Sequence, residues 1–302
     1  MKKILIAGGT GLVGSYLIKG LIDKGYEPLV LTRSPKIQRD YKTFAWDPAT
    51  GYIDKDAFDG VKIIVNLSGA NIGEGRWTKA RKIEIIESRI KSTQLLFKTA
   101  KELNIKADKY ISASATGFYG AVSVDHIFTE EDAAADDFVG QVCARWEDEA
   151  DSFSDLGSDL VKLRLGIVLD SNDGALKRMV APANLYMGTA LGTGKQYIPW
   201  IHPLDLTGIF LKAIDDTKMK GSYNVVSPSF VTNKEFMRTL TSVLGKPFIG
   251  LNAPSLIIKL LFGEMSDLIL EGSRVSSKKI MDAGYKFLYP DLEDALINII
   301  KP

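Results

Sequence analysis

One cysteine, Cys143, and two histidines, His126 and His202, are all that this 302-residue chain carries of those two residue types. A lone thiol excludes an internal disulfide and suits a reducing compartment, so the sequence predicts a cytoplasmic protein. Two histidines far apart in the chain argue against a zinc cluster, and no metal is expected. Neither sign of charge dominates: 38 Lys and Arg stand against 37 Asp and Glu. That balance speaks against a nucleic-acid face or an acidic tail. No stretch approaches the ~18 apolar residues of a membrane span. The start, Met1–Ala7, imitates a signal peptide only briefly, because glycines end its apolar run too early. No membrane and no nucleic acid are therefore expected as partners.

What is present begins at once. Ile4-Leu5-Ile6 runs straight into Ala7-Gly8-Gly9-Thr10-Gly11-Leu12-Val13-Gly14. The apolar run reads as a buried strand, the glycines as a turn, and the following Leu12–Lys24 as a helix. Glycines let backbone approach a ligand closely, and the helix offers free N–H groups and a positive dipole end to a pyrophosphate. The string fits G-x-G-x-x-G from Gly9, and G-x-x-G-x-x-G at Gly8, Gly11 and Gly14. In a strand–turn–helix context it predicts a dinucleotide site.

Strand and helix patterns then alternate, as in βαβ units around a parallel sheet. Strands are predicted at Pro28–Thr32, Thr43–Trp46, Val61–Leu67, Lys109–Ala113 and Leu160–Val168. A long amphipathic helix fits Thr78–Leu103, apolar at Ile83, Ile86, Ile90, Leu95 and Leu96. A loop over Gly117–Glu131 precedes a helix near Asp136–Phe153. Past residue 170 the alternation loosens. Gly174–Met187 looks helical, Gly188–Lys195 a glycine-rich loop, Leu206–Asp215 helical, Ser222–Val226 a strand and Asn233–Leu244 a helix. The expected fold is α/β, a Rossmann-type doubly wound parallel sheet with a smaller C-terminal substrate lobe. Residues 1–170 would form the nucleotide-binding domain, with about 200–230 returning to it. Residues 171–302 would form the lobe, including a helical segment at about 250–300.

The second strand ends Leu31-Thr32-Arg33-Ser34. A carboxylate there would hold a ribose 2′-hydroxyl and select NAD. A guanidinium instead suits a 2′-phosphate, and the hydroxyls of Thr32 and Ser34 can assist it. NADP(H) is expected over NAD(H).

Further segments carry a family resemblance. Asn66-Leu67-Ser68-Gly69-Ala70, Ser112–Gly120, Leu163–Val168 and Trp200–Asp205 resemble an extended short-chain dehydrogenase/reductase, the group of the nucleotide-sugar epimerases. Gly75-Arg76-Trp77-Thr78, Ser88-Arg89-Ile90, Phe128–Glu131, Trp146-Glu147 and Gly263-Glu264-Met265 are similar to its atypical "epimerase family protein" branch. The resemblance runs end to end. It implies cofactor contacts by Asn66, Leu67, Ser68, Gly69, Ala70, Arg89, Ser112 and Arg164, and a catalytic serine at Ser114.

One family feature is missing. None of the eleven tyrosines begins Tyr-x-x-x-Lys, and the segment in its place reads Cys143-Ala144-Arg145-Trp146-Glu147. In the family the lysine lowers the tyrosine pKa and holds the nicotinamide ribose. An ionised Glu147 would raise the Cys143 thiol instead, leaving a poor base but still a proton donor; a buried apolar role for Cys143 and a solvated or salt-bridged one for Glu147 remain alternatives. Ser114, Tyr119 and Cys143 are the catalytic candidates. Arg76, Trp77, Arg178, Gln196 and Trp200 are the substrate-side candidates, whereas His202 and Asp205 look structural. Two functions follow: an NADP(H)-dependent epimerase or oxidoreductase on an unknown small carbonyl or hydroxyl substrate with altered proton chemistry, or a cofactor-binding sensor without turnover. Either would be a monomer or a homodimer.

Overall fold

The computed structural model describes residues 1–35 and 40–301. Its strands are β1 Lys3–Ala7, β2 Glu27–Thr32, β3 Lys42–Asp47, β4 Tyr52–Ile53, β5 Val61–Asn66, β6 Lys109–Ala115, β7 Ile127–Phe128, β8 Asp159–Leu165, β9 Ile167–Val168, β10 Thr189–Leu191, β11 Trp200–Ile201, β12 Gly221–Val225, β13 Ile249–Ala253 and β14 Arg274–Val275. The helices are α1 Leu12–Asp23, α2 Lys79–Glu102, α3 Phe138–Asp151, α4 Gly174–Asn184, α5 Pro203–Asp215, α6 Asn233–Val243, α7 Ser255–Phe262, α8 Asp267–Leu270, α9 Lys278–Asp282 and α10 Leu292–Ile300.

Eight strands form one sheet in the order β12-β8-β6-β5-β1-β2-β3-β4, parallel except for the β3–β4 pair. The chain therefore builds outward from β1 to one edge, then crosses back to β5 and builds toward the other. That reversal puts a crevice at the carboxyl ends of β1 and β5, where open α/β sheets hold their ligands. Both faces are covered. Helices α1 and α5 close one face over Ile4, Ile6, Val30, Ile63 and Val65. On the other, α2 and α3 enclose Leu5, Leu29, Leu31, Ile64 and Tyr110. Two-sided burial explains why the central strands read as unbroken apolar runs.

Three expectations are corrected. The predicted apolar stripe of α2 holds at Leu95 and Leu96, which are buried, but Ile83 is exposed, and Ile85, Ser92, Thr93 and Thr99 join the buried face. Ser92 and Thr93 bond back to the Arg89 carbonyl, so small hydroxyl residues line the close contact and mask the face as polar. The predicted strand Leu160–Val168 is two. At Gly166 any Cβ would lie 2.6 Å from the Pro199 carbonyl oxygen, and β9 turns away to pair with β11. The predicted loop Gly188–Lys195 holds β10, which pairs with β13.

The C-terminal part packs a second core around Leu176, Trp200, Phe236, Leu240 and Leu296. Residues 278–287, expected in the lobe, return instead to the first core through Ile280, Tyr285 and Phe287. Asp205, wholly buried on α5, fastens them: it accepts from the Tyr285 hydroxyl and from the N–H groups of Leu288 and Tyr289.

Candidate functional site

The crevice begins at the glycine turn. Gly8 has φ +77°, and a Cβ there would lie 2.7 Å from the Leu67 carbonyl carbon. Backbone of the β1 turn thus meets backbone of the β5 loop directly, which only glycine permits. A Cβ at Gly14 would lie 2.5 Å from the Gly9 Cα, so this glycine seats α1 against the turn. Gly11 differs. A Cβ there would meet only the Gly8 oxygen, at 3.6 Å, so its open side faces the crevice. Gly11 is also the N-cap of α1, with no side-chain cap and no acidic residue in the first turn. Free N–H groups at an uncapped helix end, with no competing carboxylate, are what a pyrophosphate needs. The cradle fits a dinucleotide.

On one side of β1, Thr32 accepts from the Ser34 N–H, and Arg33 and Ser34 stand exposed at the end of β2. On the other side, Asn66 is fully buried. Its amide donates to the Thr93 hydroxyl and the Tyr110 oxygen, while its Oδ1 accepts from Ser68 N–H at 3.0 Å. Asn66 therefore shapes the loop Leu67–Ala70 from beneath. Ser112 is buried below it and bonds to the Ala113 carbonyl. Arg89 reaches over the loop from α2, its Nη1 donating to Ala70 O at 3.1 Å and Ile85 O at 2.8 Å.

Next to this loop lies a sealed polar network. Strand register sets Ser114 beside Arg164 and Arg164 beside Asn224, across β6, β8 and β12. Above them α3 brings Glu147, which is buried. Its Oε1 accepts from Ser114 Oγ at 2.7 Å and from Arg164 Nε at 2.8 Å; Oε2 accepts from Arg164 Nη2 at 2.9 Å. Arg164 Nη1 donates to the Tyr119 hydroxyl, which itself donates to Asn224 Oδ1 at 2.6 Å. The guanidinium stacks on Phe118, 3.4 Å from the ring centre. Arg164 thus bonds inside the protein through each of its three nitrogens, to Glu147 and Tyr119.

The three catalytic candidates stand in or against this network. The Ser114 proton is committed to Glu147. Burial pushes the Tyr119 phenol up to about 12 despite the neighbouring Arg164. Cys143 is buried, and desolvation drives its thiol to about 12, with Arg89 opposing and Glu147 adding. At neutral pH Tyr119 and Cys143 therefore hold their protons.

The substrate-side candidates do not converge. Trp77 is buried, its indole N–H bonded to Ile72 O and its ring edge-on to Phe138. Trp200 is wholly inside the second core. Gln196 is buried and donates to Leu191 O and Ile269 O. Arg76 donates to the carbonyls of Leu260 and Leu261 at the end of α7. Arg76 and Arg178 keep exposed positions, the latter bonded to Gly73 O at 2.6 Å.

Residues 4–141 match the model of the NAD dependent epimerase/dehydratase family, and residues 253–299 match a domain of unknown function. Over 307 residues the chain is 34% identical to an epimerase family protein of Staphylococcus saprophyticus, covering 99% of this chain and all of that one. The chain belongs to the NAD dependent epimerase/dehydratase family. Among solved structures it is similar to the human epimerase family protein SDR39U1 with NADPH, at 31% identity and a TM-score of 0.87 over 99% of each chain. A nucleoside-diphosphate sugar epimerase of Corynebacterium glutamicum matches at 29% and 0.79, covering 99% of this chain and 58% of that one.

Sequence reasoning missed Asn224, and for Glu147 it left a solvated or salt-bridged surface position open as an alternative to a role beside Cys143. A signal was present for Arg164, a guanidinium set between Leu163 and Leu165. Its pairing with Glu147 needs the helix α3 to lie over β8, which no local pattern states.

Proposed function

We propose that this family member binds NADP(H) across the β1/β5 crevice and works without the Ser–Tyr–Lys proton relay of the epimerases. In this reading Gly8, Thr10, Gly11, Leu12, Val13 and Gly14 cradle the pyrophosphate, and Thr32, Arg33 and Ser34 take the 2′-phosphate. Asn66, Leu67, Ser68, Gly69 and Ala70 support the nicotinamide half. Bound nucleotide would supply or accept a hydride. The protein's own residues bind and orient it. The observation that carries the reading is the buried Glu147–Arg164 pair, which holds Ser114 and, through Arg164, Tyr119 in a closed network. The reading fits a cytoplasmic reporter of cofactor state better than an epimerase. NADPH in the human relative's crystal structure supports the cofactor choice.

A second reading keeps turnover, with hydride passing to a small unidentified carbonyl substrate and the proton coming from water. The partial exposure of Ala115–Gly117, at the carboxyl end of β6, favours it by leaving that end reachable.

Fluorescence titration with NADPH and NADH tests the cofactor choice. The native chain should prefer NADPH, and Arg33→Ala should weaken NADPH about 10- to 100-fold, the order expected for one charge-assisted phosphate contact, with NADH unaffected. Equal binding of the two nucleotides by the native chain would sink the Arg33 assignment. Measurable hydride turnover on a carbonyl panel, unchanged in Ser114→Ala, would favour the second reading.

A further inference from the structure

The crevice contains a cation that nothing in the described fold balances. Arg89 donates only to neutral carbonyls, and among the described residues no carboxylate lies within ion-pair distance of it. Its Nε is sealed from solvent without a partner, as are the neighbouring Ser68 Oγ and Trp146 Nε1. The guanidinium lies 4.8 Å over the Trp146 ring and presses on the loop, since a Cβ at Gly69 would come within 2.9 Å of its Cζ. Other charges nearby are spoken for. Arg164 is cancelled by Glu147, and Arg81 pairs with Glu84 and Glu74. Burial keeps the Cys143 thiol neutral. A partly buried guanidinium left without a counter-charge costs stability, so its retention calls for a use.

Sheet order locates that use. Arg33 follows β2 on one side of β1, while the Ser68–Ala70 loop and Ser114 follow β5 and β6 on the other. A dinucleotide with its pyrophosphate over α1 and its adenosine end at Arg33 has its nicotinamide end over the second side, beside Arg89. We infer that Arg89 makes the chain a reader of cofactor redox state, favouring NADPH over NADP⁺, because the nicotinamide ring carries a positive charge only when oxidised. The guanidinium repels the oxidised ring and leaves the reduced one undisturbed. This rests on the NADP(H) reading above, and it assigns to α2 a cation near the position where the family lysine has become Glu147.

The test is titration of the full-length chain with NADPH and with NADP⁺, in the native form, Arg89→Gln and Arg89→Lys. Like charges held several ångströms apart in a partly wet interior bias the ratio on the order of tenfold. The native chain should favour NADPH by about that much. Arg89→Gln should bring the ratio toward one, and Arg89→Lys should keep it. A merely structural role would weaken both nucleotides together and leave the ratio unmoved. A native ratio near one, or a ratio unchanged in Arg89→Gln, overturns the inference while the cofactor reading stands. Failure of both nucleotides to bind the native chain overturns the cofactor reading itself.

Discussion

At the scale of single residues the decisive exchange is a tyrosine–lysine pair for Cys143 and Glu147. A buried carboxylate survives only when it is paired and hydrogen-bonded, and Glu147 takes four donors, from Ser114, Arg164 twice and, at 3.4 Å, Ser222. Glu147→Gln would leave the Arg164 charge uncompensated. Chemical denaturation should show a loss of about 3–5 kcal/mol, the usual cost of breaking a buried pair from one side; a loss below ~1 kcal/mol would mean the pair is dispensable. Cys143 yields a second expectation. With its pKa near 12 and its side chain sealed, the native thiol should resist alkylation at pH 8, where a free thiol reacts readily. Full reaction should appear only in denaturant. Fast labelling of native protein would show that the α3 helix opens.

At the scale of elements, the turn between β1 and α1 divides its glycines by task. Gly14 is structural: Gly14→Ala drives a Cβ into backbone and should cost about 1–3 kcal/mol, as overpacking does. Gly11 has room on the protein side. Gly11→Ala should leave thermal stability nearly unchanged yet weaken NADPH binding at least tenfold, because the added methyl occupies the pyrophosphate face. Equal loss of stability and binding in both variants would show that the turn acts only as a structural joint. The same turn was legible from its spacing alone, since glycine has few other reasons to recur there. The α2 face was legible only in part. Leu95 and Leu96 are buried as their pattern indicates, but the same surface includes Ser92, Thr93 and Thr99, which a polarity pattern does not pick out.

Across the whole molecule, one interlock ties the C-terminal segment to the nucleotide-binding core. His202 caps α5 by accepting from the Leu204 N–H through Nδ1, so Nε2 carries the proton and donates to Asn298, and the ring stacks on Tyr289 at 3.9 Å. Burial lowers its pKa, outweighing Asp205. The unfolded chain then binds a proton below about pH 6.5 that the folded chain resists, so stability is full above that value and falls on acidification. Thermal unfolding between pH 7.5 and 5 should show this decline. It should be shallower in His202→Asn, which keeps a capping group without the titration; an identical slope in both proteins would assign the decline elsewhere.

The sequence by itself determined the layered α/β fold, the cradle and the family, because strand hydrophobicity, glycine spacing and contiguous motifs are local properties of the chain. It also showed the absence of Tyr-x-x-x-Lys. Only the tertiary structure decided what replaced that pair. Ser114, Arg164 and Asn224 lie on three different strands, Glu147 on a helix and Tyr119 in a turn, and register together with helix packing makes them one network. The same holds for Trp77, Gln196 and Trp200, whose side chains look equally suited to a ligand or a core until packing buries them. Which polar group pairs with which is a long-range matter, set by how α2 and α3 cross the sheet, and no spacing along the chain encodes it.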